Sequence, residues 1–391
     1  MKRIYFDYAA STPLRSEAEK AMKPYFTKRF GNPSSLHFFG QEGIATIDRA
    51  REAVARNIGA AFREVIFTGS ATEANNLALR GVVRGARGII AKPRIIISAI
   101  EHESILETAK DLERDGAELI IIPVDSHGVI DVRRLEQALN ERTVVVSVMY
   151  VNNEIGTVQP IQRIAHVISK FKKGTQYPLF HTDAVQAFNY FECNVAELGV
   201  DMMTLSGHKI GGPKGVGALY VKHIESANKK ILTPILTGGG QEFGLRSGTE
   251  NVPGIIGFAE AVIRAAKERK KEYTRLLSLK KYFWKEMKRM FPDASIYGMD
   301  EKHFGEASPH IVNVSLRNMP LDDLIVRLDV IGISVSSGSA CASRAATHSH
   351  VLSALFENAS RGVRFSFGRG TTRTEISEAV KRIRRAFKVK K

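Results

Sequence analysis

Cysteine is almost absent from this chain: Cys193 and Cys341 are the only two in 391 residues. Two thiols cannot build a disulfide framework, and neither sits in a Cys-x-x-Cys pattern, so no metal site is expected. Apolar runs long enough to span a bilayer are also missing. The opening Met1-Lys2-Arg3-Ile4-Tyr5-Phe6-Asp7 lacks the apolar core of a signal peptide, and a cytoplasmic protein is expected. No Gly-Lys dipeptide occurs, which excludes a Walker A loop, and the glycines from Gly211 to Gly217 do not follow a dinucleotide fingerprint.

What the chain has in excess is positive charge, +16 net. The basic residues cluster at 267–271, at Lys280-Lys281 and from Lys381 to Lys391, without the interleaved stacking aromatics of an RNA-binding surface. Solvated helix faces account for most of them, and an acidic protein partner could account for the rest. Cys193, between Glu192 and Asn194, has no reactive neighbour and reads as structural.

A chain of this length and 43% apolar content predicts two subdomains with real cores. From Glu64 to Val221 short β-branched runs alternate with helical patterns, the mark of βαβ units on a mainly parallel sheet, here of seven strands. The expected strands are Val65–Thr68, Ile95–Ser98, Leu119–Val124, Val144–Val151, Leu179–Thr182, Met202–Leu205 and Ala218–Val221. Between them Glu73–Arg87, Glu103–Asp115, Val132–Asn140 (capped by Asp131) and Ile161–Phe171 read as helices. A long helix runs from Val252 to about Met290, and Ile311–Leu316, Asp322–Asp329, Ile333–Ser336 and Arg364–Ser366 suggest a smaller α+β unit.

The reactive residues fall after the strands of the larger unit. Thr68 leads to Gly69-Ser70-Ala71-Thr72-Glu73, Ser98 to Glu101-His102, Val151 to Asn152-Asn153-Glu154, Thr182 to Asp183-Ala184-Val185-Gln186, and Leu205 to Ser206-Gly207-His208-Lys209. Ligands of open α/β sheets bind outside the carboxyl ends of the strands. A hydroxyl, an imidazole, an amide, a carboxylate and a lysine therefore share one rim. Lys209 alone could be a surface lysine in a turn. In this company it suits a Schiff base, because burial lowers an amine's pKa and the neutral amine attacks a carbonyl. Pyridoxal phosphate needs that lysine, a carboxylate for its pyridinium nitrogen, and a phosphate site such as Gly69-Ser70-Ala71-Thr72 at a helix N-terminus.

Two further candidates lie in the smaller unit. Cys341, within Ser337-Gly338-Ser339-Ala340-Cys341-Ala342-Ser343-Arg344, is either a buried small apolar residue or a reactive thiol favoured by Arg344; its polar neighbours argue for the second. Arg364, opening an alternating strand, either grips a substrate carboxylate or forms a surface ion pair.

Taken together, these motifs resemble the cysteine desulfurases of the NifS/IscS type, pyridoxal-phosphate enzymes of fold type I in the class V aminotransferase group. The resemblance runs nearly end to end, through Tyr5-Phe6-Asp7-Tyr8-Ala9-Ala10-Ser11-Thr12-Pro13, Gly31-Asn32-Pro33-Ser34-Ser35-Leu36-His37, Phe67 to Glu73, Val151 to Gly156, Ser206 to Lys209, Gly244 to Asn251 and Ser337 to Cys341. It implies a large cofactor-binding domain over 15–255, and a small domain made of 1–14 and 256–391 that carries the catalytic cysteine. It also implies roles. Lys209 would bind the cofactor and move the Cα proton, His102 would stack on the ring, Asp183 would pair with the ring nitrogen and Gln186 would reach the phenolic oxygen. Thr72, Ser206, His208 and the Ala71 amide would hold the phosphate, joined by Thr249 from the second subunit of a homodimer. Asn153 and Arg364 would hold the carboxylate of L-cysteine, and Cys341 would take its sulfur as a persulfide, leaving L-alanine. The sulfur would pass to an iron–sulfur scaffold or a tRNA-thiolation relay protein. Thr347-His348-Ser349-His350 departs from the Pro-Ser pair that many relatives carry before the Val-Leu.

Overall fold

The computed structural model describes residues 2–222, 231–316, 321–337, 349–356 and 362–387. Its first strands are β1 (Ile4–Tyr5), β2 (Val65–Thr68), β3 (Arg94–Ser98), β4 (Glu118–Ile122), β5 (Thr143–Ser147), β6 (Leu179–Asp183), β7 (Met202–Ser206) and β8 (Gly217–Val221). Strands β2 to β8 form one seven-stranded sheet in the order β2-β8-β7-β6-β5-β3-β4. Strand β8 alone runs against the direction of the other six, pairing antiparallel with β2 and β7. The mainly parallel α/β sheet expected from the sequence is therefore present.

Near-continuous apolar strands bury both faces of a sheet, and side chains alternate between those faces. Val65, Phe67, Ile96 and Val146 enter one core with the helices Phe38–Ile58 and Ile161–Lys172. Ile66, Ile95, Ile97 and Val145 enter the other, with the helices Ala71–Ala86 and Glu103–Arg114. The helix expected from Glu73 begins at Ala71 because Ser70 caps it, accepting from the Glu73 amide at 3.1 Å. Asp131 caps Val132–Ala138 as expected. One strand is shorter than its apolar run. After Ser147 the Val148 and Tyr150 amides still donate to β6, but Val151 turns to bridge Val158.

Edge strand β2 has a dedicated partner. Glu242 accepts from the Phe67 amide at 2.9 Å while pairing bidentately with buried Arg51, which also donates to the Val65 carbonyl. Glu242 and Phe243 pay for this with left-handed backbone, φ 49° and 58°.

The remaining strands are β9 (Ser295–Tyr297), β10 (Ile311–Ser315), β11 (Ile333–Ser334) and β12 (Val363–Ser366). They form an antiparallel sheet β12-β10-β9 and a parallel pair β1-β11. The strand expected over Ile333–Ser336 stops early, since Ser336 leaves β11 to bridge Arg364. Phe6, Phe283, Trp284, Phe365 and Phe367 pack here into a separate core. The 39-residue helix Val252–Met290, roughly 58 Å long at 1.5 Å per residue, serves both: residues to Ala265 join the large-sheet core and Leu276 to Met290 join the second.

Lys280 on that helix is 2% exposed, donates to the Ser308 carbonyl at 2.9 Å and stands 4.5 Å from the Phe304 ring centre. Burial brings its pKa down to about 7. Between that value and the ordinary lysine range the folded chain binds fewer protons than the unfolded one, so this group makes stability rise with pH and withdraws it as pH falls through 7. Lys280→Met is therefore expected to raise the thermal midpoint more at about pH 6 than at about pH 10, measured by calorimetry; a pH-independent difference would contradict the burial account.

Candidate active site

The carboxyl ends of β2, β3, β6 and β7 meet the edge of the second unit around one cavity. A short 3-10 turn, Gly207–Lys209, follows β7 and turns Lys209 inward. Its Nζ donates to the carbonyls of Ala9 at 2.7 Å and Ala10 at 2.9 Å. Asp183 ends β6, is 6% exposed, and accepts from Asn75 Nδ2 and the Val185 amide, both at 2.9 Å. Gln186 lies one turn further and donates to the Ala9 carbonyl at 3.0 Å. His102 follows β3 as the cap of Glu103–Arg114; its Nδ1 accepts from the Ser104 amide at 3.1 Å. Burial lowers the His102 pKa, against the pull of nearby Asp183.

Arg364 on β12 is 1% exposed. Its guanidinium donates to the Asn153 carbonyl and to Asp7 Oδ1, each at 2.8 Å, while its buried Nε has no partner among the described residues. The surface alternative is overturned: Arg364 does form an ion pair, with Asp7, but as a buried arginine on the cavity wall. Ala71, Thr72, His102, Asn153, Asp183, Gln186, Ser206, His208, Lys209 and Arg364 all line this cavity of about 200 Å³. Thr249 does not, and is exposed. Cys341 lies outside the described residues. Cys193 is fully buried, and desolvation pushes its thiol up to about 12, which makes it unreactive as expected.

Pyridoxal phosphate fits this donor set. An amine, a carboxylate, an amide and a flat imidazole surround a space of suitable size for a substituted pyridine. At one end Ser70, Ala71 and Thr72 open the 16-residue helix Ala71–Ala86, where amide groups and the helix dipole favour phosphate. Ser206 and His208 join them there. Burial, with Lys209 and Lys214 nearby, brings the His208 pKa down to about 4, so it serves as a neutral partner. Arg364, on the same cavity wall, brings a guanidinium, the group whose fork matches a carboxylate.

Several residues that shape the site carried no sequence signal. Asn75 shares its amide between Asp183 and Ser104, and Ser104 in turn meets His102 Nδ1. Glu101, fully buried, accepts from Ser98 and from the Met149 amide, and burial raises it to about 8, so it is largely protonated at neutral pH. Ser349, part of the departure noted in the sequence, donates to buried Glu154 at 2.6 Å, and His350 Nε2 meets the Glu101 carbonyl at 2.9 Å. The Asn75–Asp183, Glu101–Met149, Ser349–Glu154 and His350–Glu101 contacts bridge distant stretches of chain, so no local pattern could foretell them.

Gly217 on β8 sits against the turn that opens the helix Ala71–Ala86: a Cβ there would lie 2.8 Å from the Ser70 carbonyl carbon and 2.9 Å from the Ala71 nitrogen. Both are backbone atoms that cannot move without moving the helix start. Gly217→Ala is expected to weaken pyridoxal phosphate binding by about tenfold or more, roughly 1.4 kcal/mol, in absorbance titrations of cofactor-free protein, with the circular dichroism spectrum retained.

Comparison with known proteins agrees with this geometry. Residues 4–378 match the model of the family described as Aminotransferase class-V. A protein named cysteine desulfurase IscS from Dictyoglomus turgidum is 42% identical over 96% of this chain and 93% of its own. A solved structure titled NIFS-LIKE PROTEIN superposes with a TM-score of 0.88 at 33% identity, covering 99% of both chains. Another, SspA in complex with cysteine, gives 0.79 at 35% identity over 93% of this chain and 98% of that one. On the fold, the composition of the cavity and these likenesses, the chain belongs to the class-V aminotransferase family, in its cysteine desulfurase branch.

Proposed function

We propose that this protein is a cysteine desulfurase that, with pyridoxal phosphate bound, converts L-cysteine to L-alanine and takes the sulfur as a persulfide on Cys341. The observation that carries this reading is the convergence of Lys209, His102, Asp183, Gln186 and Arg364 on one cavity. Pyridoxal phosphate, when bound, supplies an electron sink for the substrate's Cα. Lys209 would anchor it, Asp183 would serve its ring nitrogen and His102 would stack on its ring, while Ala71, Thr72, Ser206 and His208 would hold its phosphate. Arg364, kept rigid by Asp7 and the Asn153 carbonyl, grips the substrate carboxylate together with the Asn153 side chain. That grip fixes the substrate while the Lys209 amine takes the Cα proton and later returns one.

The Cys341 thiolate attacks the substrate sulfur. An S–S bond forms as the Cβ–S bond breaks, and the electron pair released at Cβ is protonated to give alanine. Sulfur is oxidised and carbon reduced within one step, so no outside oxidant is consumed. The persulfide then supplies a protein acceptor for iron–sulfur cluster assembly or tRNA thiolation. A free-thiol nucleophile suits the reducing cytoplasm. Among the described residues no helix is long and apolar enough to cross a membrane.

A two-domain division, expected as 15–255 against 1–14 with 256–391, is supported by separate apolar cores at the two ends of the long helix, although the large-sheet core extends past 255 to Ala265. A homodimer is supported by a face on which Phe26, Phe30, Leu36 and Phe38 are all more than half exposed, too much apolar surface to leave to water. Thr249 is exposed and available to a second copy's phosphate site.

Two results test this reading. Purified protein with L-cysteine and a thiol reductant should release alanine and sulfide in equal amounts. Cys341→Ala should abolish both, and Lys209→Ala should cost about a hundredfold or more, the usual worth of a positioned proton-transfer group; pyruvate and ammonia instead of alanine would make the enzyme a lyase. For the dimer, Leu36→Asp with Phe38→Asp should yield monomers in sedimentation velocity, and a dimer unaffected by both changes would place its interface elsewhere.

A further inference from the structure

The amide of Gln186 is held from both sides. The Ala9 carbonyl can only accept, so the atom facing it at 3.0 Å is the nitrogen of the amide. The oxygen therefore faces His310 Nε2, 3.1 Å away, and that nitrogen must carry the proton. His310 Nδ1 is then an acceptor, and the Ser308 hydroxyl donates to it. The ring itself cannot turn freely: it is 3% exposed and lies on Tyr190 with centroids 4.4 Å apart. Below it, Lys280 clamps the Ser308 carbonyl at 2.9 Å. Every heteroatom from Lys280 to Gln186 thus has a fixed polarity.

We propose that His310 is a positioning residue that locks Gln186 with its oxygen turned away, so that the second hydrogen of its NH2 group is what this side chain offers the cavity. An unlocked amide could rotate by half a turn and present an acceptor, which would repel an anionic oxygen. The ligand atom it serves is an oxyanion of a planar ring, and the inference rests on the reading that this atom is the phenolic oxygen of pyridoxal phosphate. His310 stands 124 residues from Gln186 in sequence, on the second unit, so the lock also ties a cofactor contact to the packing of that unit.

A donor on a phenolate stabilises its deprotonated form and lowers the pH at which the bound cofactor's visible absorbance changes. In His310→Leu that pH midpoint should rise by about one unit, the equivalent of ~1.4 kcal/mol, and cofactor affinity should fall by about fivefold to tenfold. His310→Gln, whose amide nitrogen reaches as far as the imidazole Nε2, should restore both; KM for cysteine should stay within about twofold, since the carboxylate grip is untouched. Gln186→Leu serves as the reference. If it shifts the midpoint and His310→Leu does not, the lock is disproved while the cofactor assignment stands. If Gln186→Leu leaves the midpoint alone, the contact between Gln186 and the cofactor fails, and the lock with it. Nitrogen NMR of the unaltered holoenzyme, with His310 assigned by difference against His310→Gln, gives a check free of folding defects: a neutral ring protonated at Nε2 is expected, and an Nδ1-protonated ring would overturn the proposal.

Discussion

The site hangs on a single strap, Asp7 to Arg15, which turns at Tyr8–Ala10. Asp7 pairs with Arg364, Ala9 receives both Lys209 and Gln186, and Ala10 receives Lys209 as well. Further along, Thr12 donates to the His208 carbonyl and accepts from the Gly211 amide, and Arg15 donates to the Ile210 carbonyl. The strap thus holds the turn that carries the lysine along with the arginine of the second unit. Its backbone carbonyls suit the task because a main-chain oxygen has no rotamer to choose. They give the amine a defined resting place at the cavity wall.

Desolvation sets the electrical character of the cavity. His102 and His208 are both pushed toward the neutral form, and Glu101 below the rim is held largely as the acid. The acidic and basic side chains on its wall are few: Asp183, Lys209 and Arg364. A cavity so arranged attracts a doubly anionic ligand without filling itself with competing ion pairs, and fixed dipoles within it act at low local dielectric.

Much of this was legible from the chain because the strands are short, apolar and buried on both faces, so their ends could be found and their following residues read as one rim. The helix caps Ser70 and Asp131 were legible for the same local reason, although only the second was anticipated. Where the reading erred, tertiary contacts decided. Val148 to Val151 carry a strand's composition, yet Val151 leaves the sheet to bridge Val158. Arg364 could not be assigned from sequence, since its partner Asp7 lies 357 residues away. Asn75 and His310 gave no signal at all. An asparagine inside a helix and a histidine before a strand acquire meaning only when a distant carboxylate or amide is folded against them.

Ser336 exchanges backbone hydrogen bonds with Arg364, 2.8 Å and 3.3 Å long, so the chain leaving β11 is pinned to the cavity wall at that point. Cys341 follows Ser337 by four residues (341 − 337). Even a fully stretched backbone covers at most about 3.6 Å per residue, roughly 14 Å in all. On the proposed reading of Cys341 as the nucleophile, covalent geometry alone therefore limits its Cα to that distance from Ser337. On that reading a protein acceptor has to approach within reach of this short tether, close to the wall that Arg364 builds.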